Sequence, residues 1–276
     1  MQHVSKSIIK LFTLVVSLSL VGAAYSHAGD EFAKLPDKEH FHLYLLAGQS
    51  NMAGRGFVDE EANIPHPRVL MLDQEGNWLP AVDPVHYDKK SAGVGPGRTF
   101  ADVLAAEDES IVIGLIPTAC GGSSITKWVP GGYHDQTKSY PYDDAIARTH
   151  TAMEQGVLKG VLWHQGESDS KEPNASEYQQ RLTELLERFR TEFNEPNLLI
   201  VIGQLGQFPE RHWNQSRIKV DQAQRTVADT LPNVVFVPSD GLTSNPDLIH
   251  FNAESQREFG RRYAEAYLAL KQQSSD

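Results

Sequence analysis

The chain has 276 residues and a formal net charge of −11, from 36 acidic and 25 basic side chains. This balance argues against nucleic acid and anionic membrane surfaces as partners, because both repel an acidic protein. The one cysteine, Cys120, excludes an intramolecular disulfide. Its apolar sequence neighbours favour a buried structural thiol over a nucleophile.

Residues 1–26 have the pattern of a cleavable signal peptide. Two lysines precede an apolar stretch at residues 11–24, and small side chains near position 26 offer a cleavage site. The stretch is shorter than the about 20 residues that a membrane span needs, although an uncleaved N-terminal anchor is the alternative. We therefore expect a secreted or periplasmic protein, with no membrane contact after signal removal, and a single domain over residues 27–276.

Predicted strands and helices alternate along the mature chain. Strands are predicted over residues 42–47, 68–73, 110–117, 157–163, 198–205 and 233–238, and helices over residues 99–107, 143–155, 176–193, 215–230 and 252–270. The Gly- and Pro-rich residues 80–97 and 121–142 are typical of surface loops. The alternation predicts an α/β fold with helices on both faces of a mostly parallel sheet. We expect five strands in this central sheet, with the short strand at residues 68–73 outside the count.

Ser50 comes directly after the first predicted strand and is the candidate nucleophile. Ligands bind outside the carboxyl ends of the strands in open α/β sheets, and a hydroxyl in such a turn lies beside backbone donors for an oxyanion. Asn51 is a candidate substrate contact at the same place. The alternative is that Ser50 and Asn51 only form a turn or cap a helix.

Asp247 and His250 form the strongest candidate pair for acid–base chemistry. An Asp three residues before a His, just ahead of a predicted helix, lets the carboxylate accept the Nδ1 proton so that Nε2 faces a nucleophile. The alternative is a capping Asp beside a packing His.

Three further residues are candidate donors to an oxyanion. Gly121 and Gly122 have no Cβ, so their backbone N–H groups can approach a reacting carbonyl closely, unless they form an ordinary turn. Gln165 offers a side-chain amide toward the same edge, unless it only bonds within its loop.

Three other polar residues lie in the segment around Gln165. Glu167 either contacts His250 as a second carboxylate or braces its own loop. Asp169 is expected to be solvated, and His164 to be a buried structural histidine. The sequence contains no His-Glu-x-x-His motif, Cys-His cluster or Asp-rich calcium loop, so we expect neither a metal nor another cofactor.

Four blocks of the sequence resemble the SGNH hydrolases. They are Gly-Gln-Ser-Asn-Met-Ala-Gly at residues 48–54, Gly-Gly-Ser-Ser-Ile at 121–125 with Trp128, Trp-His-Gln-Gly-Glu-Ser-Asp at 163–169, and Asp-Leu-Ile-His-Phe at 247–251. More narrowly, they resemble the sialate O-acetylesterase-like branch, which includes the acetyl xylan esterases of carbohydrate esterase family 6. The blocks have the family order and span essentially the whole mature chain.

The resemblance implies a three-layer α/β/α sandwich of the flavodoxin-like type and metal-free deacetylation of sugars. It implies Ser50 as nucleophile, His250 as base, Asp247 as its partner, and an oxyanion hole from Ser50, Gly121 or Gly122, and Gln165. The general superfamily has Gly-Asp-Ser and an Asn donor, where this chain has Gly-Gln-Ser and Gln165, which fits the narrower branch. The Gly-x-Ser-x-Gly elbow of α/β-hydrolases is not present.

These observations predict a serine esterase that removes O-acetyl groups from an acetylated oligo- or polysaccharide. Trp128 and Tyr133 are candidates for a wall on which the sugar stacks, with ordinary packing as the alternative. A lipase or thioesterase on the same scaffold and a non-catalytic glycan-binding module remain open.

Overall fold

The alternating strands and helices form an α/β fold. The computed structural model describes residues 35–274, which belong to one compact unit, Leu35–Asp276. The predicted signal peptide therefore lies outside the described residues. The strands are β1 (Phe41–Gly48), β2 (Val69–Leu72), β3 (Trp78–Pro80), β4 (Val112–Pro117), β5 (Val157–His164), β6 (Leu199–Gly203) and β7 (Val234–Val237). The helices are α1 (Ser50–Ala53), α2 (Pro96–Glu107), α3 (Pro141–Met153), α4 (Asn174–Glu192), α5 (Gln215–Thr230) and α6 (Ala253–Gln273).

The strands form one sheet in the order β3-β2-β4-β1-β5-β6-β7. Neighbouring strands are parallel except β2 and β3, which pair antiparallel. The predicted mostly parallel α/β class is confirmed, whereas the count of five strands is wrong because the described sheet has seven. The two additional strands have four and three residues, which is too short for their apolar pattern to place them in the sheet.

Side chains alternate between the two faces of the central strands, so each face needs a helical cover. On one face, Tyr44 of β1 packs edge-on against Phe100 of α2 and Tyr267 of α6, and α2 packs against α6. On the other face, the Trp163 indole of β5 donates to the hydroxyl of Tyr178 of α4 at 3.4 Å. There α4 packs against α5.

Strand β1 lies at the centre of the sheet, between β4 and β5. The chain winds outward from β1 in both directions, and such a switch point opens a crevice at the carboxyl ends of the strands. The loops after β1, β4, β5 and β7 all begin at this edge. Among the described residues, no helix is long and apolar enough to cross a membrane.

Candidate active site

Ser50, His250 and Asp247 meet at the carboxyl edge of the sheet. His250 Nε2 lies 2.9 Å from Ser50 Oγ, and His250 Nδ1 lies 2.6 Å from Asp247 Oδ2. Because the carboxylate accepts the Nδ1 proton, Nε2 has a free lone pair for the proton of the serine hydroxyl. Ser50 and His250 are 200 positions apart in the chain, so the fold makes this contact.

The end of β1 sets the position of Ser50. Gly48 has φ +132°, and a Cβ at this residue would lie 2.1 Å from the carbonyl oxygen of His164 on the neighbouring strand, so only glycine fits there. Gln49 donates its N–H to the same oxygen at 2.9 Å. The predicted turn is the short helix α1, whose first residue is Ser50. The hydroxyl of Ser50 is therefore fixed relative to strands β1 and β5.

The turn that carries His250 is organised by Asp247. Oδ1 of Asp247 accepts the N–H groups of Ile249 at 2.8 Å and His250 at 2.9 Å. Leu248 has φ +56°, the left-handed conformation that few non-glycine residues adopt, and its carbonyl accepts from Arg211 at 3.1 Å. Burial acts to raise the pKa of Asp247, but the hydrogen bonds from His250 and Ile249 outweigh it and lower the pKa. The carboxylate is thus charged where it orients the imidazole.

Asn51 connects the segment of Ser50 to the turn that carries His250. Its Nδ2 donates to Glu167 Oε1 at 2.5 Å and to the Ile249 carbonyl at 3.2 Å, while its Oδ1 accepts the Phe251 N–H at 3.2 Å. The residue is 1% exposed. The prediction that Asn51 contacts substrate is therefore wrong, because its amide is committed to the backbone on either side of His250.

Glu167 braces this connection and does not pair with His250. Its carboxylate accepts from Asn51 and lies 3.8 Å from His164 Nε2. Burial acts to raise the pKa of Glu167, yet the neighbouring His164, the charge of Arg217 and the Asn51 amide together lower the pKa to about 2. His164 is fully buried, as predicted, and its Nδ1 contacts the Tyr263 hydroxyl at 2.7 Å.

The buried side chain of Gln165 connects several segments of the site through hydrogen bonds. Its Nε2 lies within donating distance of three acceptors, Gln49 Oε1 at 3.1 Å, the Ser123 carbonyl at 3.0 Å and Asp169 Oδ2 at 2.6 Å. The side chain is fully buried, and its two amide protons are committed to these acceptors. This geometry argues against the predicted donation to an oxyanion, and it shows Gln165 joining the segments before Ser50 and after Gly122.

Asp169 was expected to be solvated, and this prediction is wrong. The residue is fully buried. Its Oδ1 accepts from Ser124 Oγ at 2.5 Å and from Asn174 Nδ2 at 2.9 Å, and its Oδ2 accepts from the Ile125 N–H at 2.8 Å as well as from Gln165. Four donors compensate the charge for the loss of water, so this carboxylate fixes the loop that follows the two glycines.

The two glycines after β4 differ in what their N–H groups do. Gly121 donates its N–H to Asp88 Oδ2 at 2.8 Å. Gly122 has φ +84°, and its N–H has no acceptor among the described residues, as is also true of the Ser50 N–H. Of the predicted oxyanion donors, Ser50 and Gly122 therefore have a free N–H.

Sequence reasoning missed an ion pair beside these donors. Arg55 Nη2 lies 2.7 Å from Asp88 Oδ2, and both side chains are more than nine-tenths buried. Residues 80–97 were predicted to be a surface loop, so Asp88 was not a candidate. A signal for Arg55 was its place directly after the nucleophile block at residues 48–54. By accepting from both Arg55 and Gly121, Asp88 anchors the glycine loop to the segment after α1.

The predicted sugar-stacking residues lie in different environments. Trp128 is fully buried and packs edge-on against Trp163, with ring centroids 5.1 Å apart. Trp128 therefore belongs to the core, and its predicted role as a sugar wall is wrong. Tyr133 is exposed and packs against the ring of Tyr140. It does not line the pocket that adjoins His250.

Cys120 is buried, as predicted for a structural thiol. Burial raises the pKa of this thiol to about 11, so it carries no thiolate at neutral pH. Within residues 35–274, no three or more His, Cys, Asp or Glu side chains lie together in a way that would hold a metal ion.

Comparison with known proteins identifies relatives along most of the chain. Residues 40–269 match the family described as "Carbohydrate esterase, sialic acid-specific acetylesterase". The probable carbohydrate esterase At4g34215 of Arabidopsis thaliana is 34% identical over 251 residues, which cover 82% of this chain and 90% of that protein. The crystal structure of At4g34215 matches with a TM-score of 0.73 and 33% identity, over 85% of this chain and 99% of that one.

Two further solved structures share the fold at lower identity. NanS matches with a TM-score of 0.70 and 19% identity, over 87% of this chain and all of that one. XAC1771 of Xanthomonas citri, described as a carbohydrate acetylesterase, matches with a TM-score of 0.65 and 20% identity, over 83% of this chain and 56% of that one.

Proposed function

This chain belongs to the carbohydrate esterase family of sialic acid-specific acetylesterases, and we propose that it hydrolyses O-acetyl esters of carbohydrates with Ser50 as nucleophile. We further propose that it acts outside the cytoplasm, on the basis of the signal-like residues 1–26. The observation that carries the proposal is the 2.9 Å contact between His250 Nε2 and Ser50 Oγ.

In the first half of the proposed reaction, Ser50 Oγ attacks the acetyl carbonyl as its proton passes to His250 Nε2. The carbonyl oxygen becomes an oxyanion, and the free N–H groups of Ser50 and Gly122 donate to it. His250 then gives the proton to the sugar oxygen as the bond from acetyl carbon to sugar oxygen breaks. The deacetylated sugar leaves, and Ser50 carries the acetyl group.

In the second half, water replaces the sugar alcohol. His250 takes a proton from the water as its oxygen attacks the acetyl carbon, and returns the proton to Ser50 Oγ when the acyl bond breaks. Acetate leaves and the free serine is restored. Throughout both halves, the Asp247 carboxylate stabilises the positive imidazolium without taking its proton.

Acetate release from acetylated glycans by the mature chain tests this proposal. Ser50→Ala should lower kcat by about 10⁴–10⁶-fold, because the nucleophile and its proton are removed together. Ser110→Ala, at an exposed turn, is the matched control and should leave the rate unchanged. Turnover that survives in the Ser50→Ala variant would exclude Ser50 as the nucleophile.

The length of the acyl chain tests the reaction class. An acetylesterase should hydrolyse 4-nitrophenyl acetate much faster than the octanoate ester. A lipase or thioesterase would show the opposite preference, and a binding module would hydrolyse neither while still binding sugar.

A further inference from the structure

A pocket of about 580 Å³ lies beside the catalytic histidine. One wall is the segment of residues 55–58, which follows the nucleophile helix, and the other is the turn with Asp247 and His250. The volume lies within the range of about 300–1,000 Å³ that is usual for small-molecule sites. Because His250 must return a proton to the leaving alcohol, the group attached to that alcohol has to lie close to this residue.

Phe57 stands on the wall of this pocket with its ring in solvent. It is 72% exposed, more than any other large apolar side chain among the described residues, and the adjacent Val58 is also exposed. Folding therefore leaves this ring in water, without the stabilisation that burial of an apolar side chain gives. Exposed apolar surface next to a reactive centre commonly marks the binding of a ligand.

The segment that carries Phe57 is tied down on both sides. Asn245 Nδ2 donates to the Arg55 carbonyl at 2.7 Å, which joins the two walls of the pocket. Gly56 pairs with Val94 through two backbone hydrogen bonds of 3.0 and 2.9 Å. After Phe57, Asp59 forms an ion pair with Arg257 of α6 at 2.6 Å. The ring is therefore presented on a fixed backbone, which lowers the entropy that a bound ligand must remove.

The charges of the pocket favour an uncharged ligand. Arg55 is the one lysine or arginine among the described residues that line the pocket, and its guanidinium is paired with Asp88. The exposed carboxylate of Asp247 adds negative charge to the opposite wall. A carboxylate on a ligand would thus meet repulsion here and find no unpaired arginine.

We propose that Phe57 is the platform that binds the sugar ring of the substrate, and that the pocket selects an uncharged acetylated pyranose. This proposal rests on the proposed esterase function. A pyranose has an apolar face whose C–H groups carry slight positive charge, and the face of an aromatic ring is slightly negative. Stacking on Phe57 buries that apolar face and holds the sugar beside His250, with the scissile ester at Ser50.

The test compares Phe57→Ala and Phe57→Tyr with Ile64→Ala. Ile64, seven positions after Phe57, is also exposed but does not line the pocket. Each variant is assayed on acetylated xylotriose, on an O-acetylated sialic acid and on methyl acetate, whose leaving alcohol carries neither a sugar nor an aromatic ring. For acetylated xylotriose, Phe57→Ala should lower kcat/KM by about three- to tenfold through KM. Its loss on methyl acetate should be much smaller, and Phe57→Tyr and Ile64→Ala should resemble the parent on all substrates.

Binding of xylotriose to the Ser50→Ala protein, measured by calorimetry, separates this proposal from the esterase function. Binding that is lost in the Ser50→Ala, Phe57→Ala protein supports the platform even if the parent releases no acetate. Equal losses on the sugar ester and on methyl acetate would overturn it, as would unchanged xylotriose binding. Faster turnover of the sialic acid ester than of acetylated xylotriose would overturn the preference for an uncharged ring.

Discussion

The contact between Asn51 and Glu167 allows a sharp test of how His250, the proposed catalytic base, is held. Replacing Asn51 by Ala removes partners from the Glu167 carboxylate, the Ile249 carbonyl and the Phe251 N–H. Each of the three unsatisfied groups costs about 1–3 kcal/mol, so the free energy of unfolding should fall by about 3–9 kcal/mol. Since the two backbone groups flank His250, kcat should fall as well, by about 10²-fold for a displacement near 1 Å.

A double-mutant cycle shows whether kcat depends on the contact between Asn51 and Glu167 itself or only on the stability of the protein. Asn51→Asp places a second carboxylate where the amide now donates to Glu167 at 2.5 Å, so like charges repel and kcat should fall by about 10²-fold. Glu167→Gln alone should be mild, because the amide oxygen of Gln still accepts from Asn51. In the double variant the new Gln amide donates to the new Asp, and at least about tenfold of the lost kcat should return.

The cycle is read in kcat on 4-nitrophenyl acetate and in chemical denaturation, with Asn197→Ala as the control at an exposed asparagine. Recovery in the double variant requires that the two side chains touch in the working enzyme. If the loss of kcat in the double variant equals the combined losses of the two single variants, Glu167 does not act through Asn51, and the bracing role is refuted.

Two further predictions concern buried acids. Asp88→Ala leaves the Arg55 guanidinium buried without its carboxylate, which should cost about 3–5 kcal/mol in chemical denaturation, and a loss below 1 kcal/mol would contradict the anchoring role. Burial raises the pKa of Asp83 from 3.8 to about 7, so the folded protein retains a proton that the unfolded chain loses, and stability should fall as pH rises from about 4 to 7. Asp83→Asn keeps an acceptor for the Gly95 N–H and should remove most of this dependence of stability on pH. At pH 7 the variant should gain up to about 4 kcal/mol in the free energy of unfolding. An unchanged pH dependence would refute the raised pKa of Asp83.

The sequence predicted the parts of the fold that repeat a local pattern. The helix predicted at residues 215–230 has the bounds observed for α5, Gln215–Thr230, and it begins after Asn214, whose side chain caps it by accepting the Arg217 N–H. The meeting of Ser50 and His250 also followed from simple reasoning, since both lie in loops after strands of one sheet. The short β3, Trp78–Pro80, has three residues, too few for a periodicity, but Gly76 and Asn77 before it predict a hairpin extension there, and β3 does pair antiparallel with β2.

The burial of polar residues could not be read from the sequence. Asp169 looks like an exposed loop acid, but one of its donors, Ser124, lies 45 positions earlier in the chain. Trp128 was a candidate for a sugar wall with ordinary packing as the alternative, and the structure shows the packing, since its ring lies against Trp163. Gln165 was expected to donate to substrate, whereas Gln49 and Asp169 take its protons. Each error concerns a tertiary partner that no local pattern encodes.

His250 lies between the buried side chains of Asn51 and Glu167 on one side and the open pocket with Phe57 on the other. Substitutions on the two sides should therefore affect different kinetic constants. On the inner side, Asn51 and Glu167 are buried and bonded to the turn, so changes there move the imidazole relative to Ser50 Oγ and should act on kcat. On the outer side, Phe57 lies across an open pocket and contributes nothing to the distance between imidazole and hydroxyl. Changes at Phe57 should therefore act on KM for sugar esters and spare small esters. The buried contacts of Asn51 and the exposed ring of Phe57 share no partner. The loss in kcat from a change at Asn51 and the rise in KM from a change at Phe57 should therefore be independent in a double variant.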